Sequence, residues 1–238
     1  MQESALVCID ASGTSPVLTQ HSFLAAHLKQ IPLRFDFARD SPLLRDHSHL
    51  RKPDIDSPIL VAIYDNGESL VLTQSLNMLD FLEDSYPGRR RLIPSVTDMT
   101  ARCKVKDLAA LIVCGIEPMQ YSRVLEGLVR RGQDPIVWAR SFLAPGMRAF
   151  ERMAEKSAGT YSVGNEVSIA DICLVTMVKA SYQYALRFDG PRDESGTTQF
   201  PIVQRIVKEC EKIPGFTRAG IPEASFRKTF QASIDEGN

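Results

Sequence analysis

Between residues 57 and 82 a rigid bend, a hairpin and a helix start follow one another, and few folds accept that order. Ser57-Pro58 precedes the apolar run Ile59-Leu60-Val61-Ala62-Ile63. A proline cannot donate to a central ladder, so Pro58 belongs at the strand's first residue or in a bend, where a cis Ser57–Pro58 bond is one option. Asp65-Asn66-Gly67 predicts a hairpin turn into Ser69-Leu70-Val71-Leu72. Thr73-Gln74-Ser75 then opens a helix in which Leu76, Leu79, Phe81 and Leu82 recur at helical spacing. The first N–H groups of that helix have no intrahelical partner, and beside Gln74 and the Ser75 hydroxyl they suit a small carboxylate. By spacing alone, the same order of elements also occurs in α/β units that bind nothing.

The residues before this stretch supply the missing sheet elements. Ala5 to Ile9 predicts a strand, the loop from Asp10 to Ser15 is rich in turn residues, and Pro16 suits the first turn of a helix that Gln30-Ile31-Pro32 stops. Leu33, Phe35 and Phe37 alternate with polar residues as a half-buried strand. Residues 39 to 56 are polar and predict a loop with a short helix beside the ligand cleft; His47 and His49 there lack the neighbours of a metal site. The order becomes β-α-β-β-α, a thioredoxin-like sheet.

Beyond it, strand signals nearly vanish. Ser85 to Pro94 contains two prolines, a glycine and the run Arg89-Arg90-Arg91, the composition of a solvated interdomain linker. We expect a thioredoxin-like domain over 1–86, a linker over 87–97 and an all-helical domain over 98–238. Asp98 to Arg131 is helical in pattern, with Gly115 and Pro118 marking a bend. Asp134-Pro135 starts another helix, expected to turn Ile136, Val137, Phe142, Leu143, Met147 and Phe150 inward and to be kinked at Pro145. Ser168-Ile169-Ala170-Asp171 reads as a capping box, which makes Asp171 a helix cap rather than a catalytic acid. Residues 189 to 199 predict a polar loop, Phe200-Pro201 a further helix, and Pro214-Gly215-Phe216 its end, ahead of a polar tail.

Charge and cysteine usage narrow the function classes. With 28 basic and 29 acidic residues among 238 the formal net charge is -1, which favours a small-molecule ligand over nucleic acid or a membrane. The five cysteines are widely spaced with no Cys-x-x-Cys, which predicts buried reduced thiols rather than disulfides or zinc. With an acidic N-terminus and no long apolar run, the expected location is the cytoplasm.

Gln74-Ser75, the proline-led strand, Cys114-Gly115-Ile116-Glu117-Pro118-Met119-Gln120 and Ala158-Gly159-Thr160-Tyr161-Ser162-Val163-Gly164 running on to Val175 together resemble the cytosolic glutathione transferases over nearly the whole chain. The closer resemblance is to the zeta class, which includes maleylacetoacetate isomerase. It implies a glutathione transferase fold: an α/β thioredoxin-like N-terminal domain and an all-α C-terminal domain, in a homodimer. It implies glutathione as cofactor, with Ser57 and Pro58 on its cysteinyl backbone, Gln74 and Ser75 on its γ-glutamyl group and Glu117 alongside, and it places Tyr121 and Arg123 on the substrate side.

The departures fall on the chemistry. Zeta members open their first helix with Ser-Ser-Cys-Ser-Trp-Arg, whose first serine helps activate the thiol. An ungapped alignment puts Pro16-Val17-Leu18-Thr19-Gln20-His21 there, so His21 stands for the arginine. A thiol is only a few per cent ionised at neutral pH without a donor or cation beside it. Ser12, Thr14, Ser15, Thr19, His21 and the N–H groups of Val17 and Leu18 are the candidates, Ser15 first and Thr14 next. Glu117 replaces a family glutamine, and Gln183 replaces an arginine thought to meet a substrate carboxylate; Arg187 is another available cation. The resemblance implies a glutathione-dependent cis-trans isomerase of a carbonyl-conjugated double bond. The rivals are a transferase that stops at the conjugate and a catalytically silent binding protein of the same fold.

Overall fold

A computed structural model describes residues 3–10, 16–37, 59–188 and 199–218. Among the described residues the first half is a four-stranded sheet with two helices. β1 (Glu3–Asp10) leads through α1 (Pro16–Leu28) to β2 (Arg34–Phe37), and β3 (Ile59–Tyr64) and β4 (Ser69–Leu72) precede α2 (Ser75–Ser85). The strand order is β2-β1-β3-β4, with β1 parallel to β2 and antiparallel to β3. This is the expected thioredoxin-like arrangement. β3 is central, so Ile59, Leu60, Val61 and Ala62 are all buried, whereas the edge strand β4 is half exposed. The hairpin register pairs Leu60 with Leu72 and Ile63 with Ser69. Tyr64 N–H donates to Glu68 O at 3.0 Å, Glu68 N–H to Asn66 Oδ1, and Gly67 supplies the turn's positive φ of 84°.

Among the described residues the second half has helices and no strand, apart from an isolated bridge between Ala158 and Gly164. α3 (Met99–Ala110) runs into a π-helical segment, Leu111–Ile116, and a 3₁₀ turn, Glu117–Gln120, before α4 (Ser122–Val129). The bend expected from Gly115 and Pro118 is therefore a change of helical winding over ten residues. α5 (Pro135–Ala154) starts as the sequence predicts, Asp134 Oδ1 accepting from Ile136 N–H at 2.7 Å and Val137 N–H at 3.3 Å. It stays a continuous α-helix through Pro145. Two of its expected core residues are corrected. Val137 is 63% exposed and Phe142 38%, because the buried stripe is Ala139, Leu143, Met147, Phe150 and Ala154, spaced at four or three residues, and 137 and 142 fall off it.

α6 (Ile169–Ser181) is buried at every position but one, as a helix apolar on all sides must be, and both α1 and α3 pack on it. α7 (Pro201–Glu211) follows as expected. Pro214-Gly215-Phe216, expected only to end it, instead opens the short helix α8 (Pro214–Arg218), since proline is favoured in a first helical turn. Phe216 is fully buried there, and Gly215 sits so close to His27 and Leu28 of α1 that a Cβ would meet them at 2.8–2.9 Å. The cysteines are corrected as well: Cys173 and Cys210 are buried free thiols, but Cys103 and Cys114 lie on the exposed side of α3 and its π-helical continuation.

The connection between the halves is clamped, although Arg89, Arg90 and Arg91 on it are exposed. Lys29, just past α1, is 1% exposed and donates through Nζ to Glu83 Oε2 at 2.8 Å and to Arg90 O at 2.9 Å. Glu83 Oε2 also accepts from Leu92 N–H at 3.0 Å, and Leu92 O accepts from Ile169 N–H at the start of α6. A charge buried this deep is tolerated only when paired and hydrogen-bonded. Leu92 and Ile93 complete one hydrophobic core that extends from Leu6 on β1 to Phe216 on α8. Among the described residues no helix is long and apolar enough to cross a membrane.

Candidate functional site

The start of α2 is built as the sequence predicts. Gln74 takes the extended N-cap conformation (φ -119°, ψ 128°), its side chain is exposed, and it makes no cap bond to the helix. Ser75 beside it is only 3% exposed. A helix end whose N-cap side chain does not cap it presents N–H groups and the positive end of the helix dipole to an anion.

α1 lies between this helix and the second half. Ser22 Oγ donates to Met78 Sδ on α2 at 3.1 Å, one turn beyond Ser75. The preceding residue, His21, faces the other way. It is fully buried, its Nε2 lies 2.7 Å from Thr176 Oγ1 of α6 and 3.2 Å from Glu117 Oε1 of the 3₁₀ turn. Glu117 is 1% exposed, and neither of its oxygens is in hydrogen-bonding geometry with a described residue, so its tie to His21 is electrostatic. Gln120, also buried, donates to Met177 Sδ at 3.5 Å. The Cys173 thiol is pushed well up by burial first and by the Glu117 carboxylate second. Two of the positions at which the chain departs from the zeta pattern, 21 and 117, thus touch. Thr176 completes the cluster; nothing in its local sequence marks it, because the contact spans 155 residues.

Tyr121, half-buried, is the extended N-cap of α4, and the exposed Arg123 places its guanidinium 5.8 Å from the Tyr121 ring centre. These two residues sit one element beyond Glu117. Thr14, Ser15, Ser57 and Pro58 lie outside the described residues, as do Ser12, His47 and His49. Among the described residues no cluster of His, Cys, Asp or Glu could hold a metal. Asp171 is a cap. Its Oδ2 accepts from Ser168 N–H and Ser168 Oγ, both at 2.8 Å, and its Oδ1 from Ser162 N–H at 2.7 Å. Burial raises its carboxyl above the ordinary value, and these hydrogen bonds pull the other way.

Residues 136–218 match the glutathione S-transferase C-terminal domain. The chain is 29% identical over 221 residues to the maleylacetoacetate isomerase maiA of Aspergillus fumigatus, covering 87% of this chain and 91% of that protein. It is 30% identical over 202 residues to a probable glutathione S-transferase of Coccidioides immitis, covering 79% and 82%. The maleylacetoacetate isomerase of Anaeromyxobacter dehalogenans 2CP-1, solved with glutathione in its active site, superposes with a TM-score of 0.74 at 25% identity, over 94% of this chain and 100% of that one. With 79% of the chain aligned to that Coccidioides immitis protein at 30% identity, the chain belongs to the glutathione S-transferase family, in its maleylacetoacetate isomerase-like branch.

Proposed function

We propose that this protein is a glutathione-dependent cis-trans isomerase acting on a double bond conjugated to a carbonyl. The observation that carries this reading is that the maleylacetoacetate isomerase maiA of Aspergillus fumigatus aligns over 91% of its length with this chain, whose α2 begins at Gln74 without a side-chain cap. Glutathione, when bound, supplies a thiol nucleophile whose reversible addition lets the former double bond rotate, so it is recovered after each turnover. The protein's part is to hold it and to favour its ionised form. Gln74, Ser75 and the α2 N–H groups take the γ-glutamyl carboxylate, and Ser57-Pro58 takes the cysteinyl backbone. Ser15, with Thr14 next, donates to the sulfur from the loop ahead of α1. Tyr121 and Arg123 line the substrate side. Residues 1–86 form the glutathione-binding domain, 87–97 the linker and 98–238 the substrate domain, in a cytoplasmic homodimer.

An unsaturated diketone followed with sub-stoichiometric glutathione tests turnover. Many turnovers per glutathione support isomerisation, and a stoichiometric halt at a conjugate identifies a transferase instead. Gln74→Ala/Ser75→Ala should weaken glutathione binding by about 2–3 kcal/mol, two charge-assisted hydrogen bonds with some overlap. Unchanged affinity by calorimetry would remove the α2 site. Light scattering at micromolar concentration should give the mass of a dimer.

A further inference from the structure

The tip of the β3–β4 hairpin carries the one asparagine among the described residues that a glycine follows. Asn66 and Gly67 are exposed, as is every residue from 65 to 70, whereas Asn77 and Asn165, also exposed, precede Met78 and Glu166. Nothing lies within 4 Å of the position a Gly67 Cβ would take, so no side chain shields the Gly67 backbone nitrogen. Glu68 N–H donates to Asn66 Oδ1 at 3.0 Å. That bond folds the carboxamide forward over Gly67. A donor on its carbonyl oxygen also makes Cγ a better electrophile and takes up the negative charge that an attack there develops. Gly67 N–H donates to Tyr64 O at 2.9 Å, so the attack waits for the tip to open. An exposed tip beside an edge strand opens at the low end of the free-energy scale.

We propose that Asn66 is a site of spontaneous covalent modification, deamidated through the Gly67 nitrogen to aspartate and isoaspartate. The Gly67 nitrogen bonds to Asn66 Cγ and gives its proton to solvent base, while the Cγ–Nδ2 bond breaks and Nδ2 leaves as ammonia. Water then opens the five-membered imide. Opening at Cγ leaves an aspartate in an unchanged main chain; opening at the Asn66 carbonyl carbon routes the main chain through Cβ and Cγ and lengthens it by one atom. Turn length sets the hairpin register, here Leu60 with Leu72 and Ile63 with Ser69, and β4 leads directly to Gln74 and Ser75. The isoaspartyl form therefore shifts β4 against β3 and displaces the start of α2. Its consequence for glutathione rests on the functional reading above; the modification does not.

Folded protein held in mildly alkaline buffer, sampled over time, digested and weighed by mass spectrometry should exchange amide for acid at Asn66, with isoaspartate detected there, while Asn77 and Asn165 keep their amides. The exchange should run faster in urea, which removes the bond from Gly67 to Tyr64. An Asn66 that keeps its amide as long as Asn77 and Asn165 do overturns the proposal. The isoaspartyl form, separated by chromatography, should melt below freshly purified Asn66→Asp, whose main chain is unchanged. By calorimetry it should bind glutathione about tenfold more weakly than Asn66→Asp, the loss of one charge-assisted hydrogen bond. An isoaspartyl form that melts and binds like Asn66→Asp overturns the shift of register. A parent that fails to bind glutathione overturns the functional reading, while the mass and melting measurements still decide the modification and the register.

Discussion

Cys173 and Cys210 show how much a single buried group can tie stability to pH. Burial is the first cause that pushes both thiols well above their ordinary value of 9.0. A folded-state pKa that is raised means the folded protein keeps protons that the unfolded chain releases. The contribution is whole below pH 9 and is lost as pH rises toward the folded value, by about 1.4 kcal/mol per pH unit for each thiol. Lys179, which donates to Phe216 O at 2.9 Å, works the other way: burial lowers it from 10.5, so its contribution grows with pH up to that value. Among the described residues Tyr161 and Tyr184, raised by burial from 10.0, act in the same direction as the thiols at higher pH, which leaves a net loss of stability above pH 9. Urea midpoints between pH 8.5 and 10 should fall in the parent, and Cys173→Ala should flatten that slope by about 1.4 kcal/mol per pH unit. Equal slopes in the two proteins would show that the thiol is not shielded as the structure indicates. The cysteines also mark how far a sequence reaches at this scale. Asp171 is readable because its partner Ser168 is three positions away, and Asp134 because its cap is followed at once by proline. His21 and Glu117 could be seen only as departures from a family pattern, since their contact joins elements that no local period connects.

At the level of elements, backbone proximity decides which glycines are fixed. Gly159, in the loop before α6, sits where a Cβ would come within 2.5 Å of Gly164 O and 2.6 Å of Asn165 Oδ1. The same Asn165 Oδ1 accepts from Thr160 N–H and Thr160 Oγ1, and Gly164 bonds back to Ser157 and Tyr161, so the loop has no slack. Gly159→Ala should cost about 1–3 kcal/mol, as overpacking against parts that cannot move does. Gly127, inside α4, is the contrast: a Cβ there meets the ends of two flexible side chains, Arg131 Nη1 at 3.6 Å and Arg130 Nη2 at 4.0 Å. Gly127→Ala should raise stability by about 0.5–1 kcal/mol through helix propensity. Chemical denaturation of both variants reads the two signs, and a stabilised Gly159→Ala would contradict the loop. Elements with strong local punctuation were legible in advance: the Asn-Gly hairpin, the Pro16 and Asp134-Pro135 starts and the Ser75 start. The outward turn of Val137 and Phe142 was not, because an apolar residue beside a helical stripe gives the same pattern whether a neighbour covers it or solvent does. The winding change at 111–120 left only Gly115 and Pro118 as traces, and the clamp from Lys29 to Glu83 left none.

For the whole molecule the decisive feature is that the two halves share one core. α1 packs on α2 of the first half and on α6 of the second, and the buried apolar cluster contains residues from both. Such halves should unfold together rather than in turn. The chain offers a built-in way to test this, since its one tryptophan, Trp138, lies on α5, where Nε1 donates to Met119 O at 3.2 Å and the ring packs 4.7 Å from Phe142. Trp138 fluorescence therefore reports the helical half, whereas the proposed glutathione contacts at Gln74 and Ser75 belong to the sheet half. Glutathione at a hundred times its dissociation constant should stabilise the folded state by about 2.7 kcal/mol. At about 2–4 °C per kcal/mol for a chain of this size, the melting temperature should rise by about 5–11 °C. Because the core is shared, the Trp138 transition should move by the same amount as the circular dichroism transition. A dichroism shift that leaves the Trp138 midpoint in place would mean that the halves melt separately and that the seam through His21, Ser22 and Lys29 does not couple them.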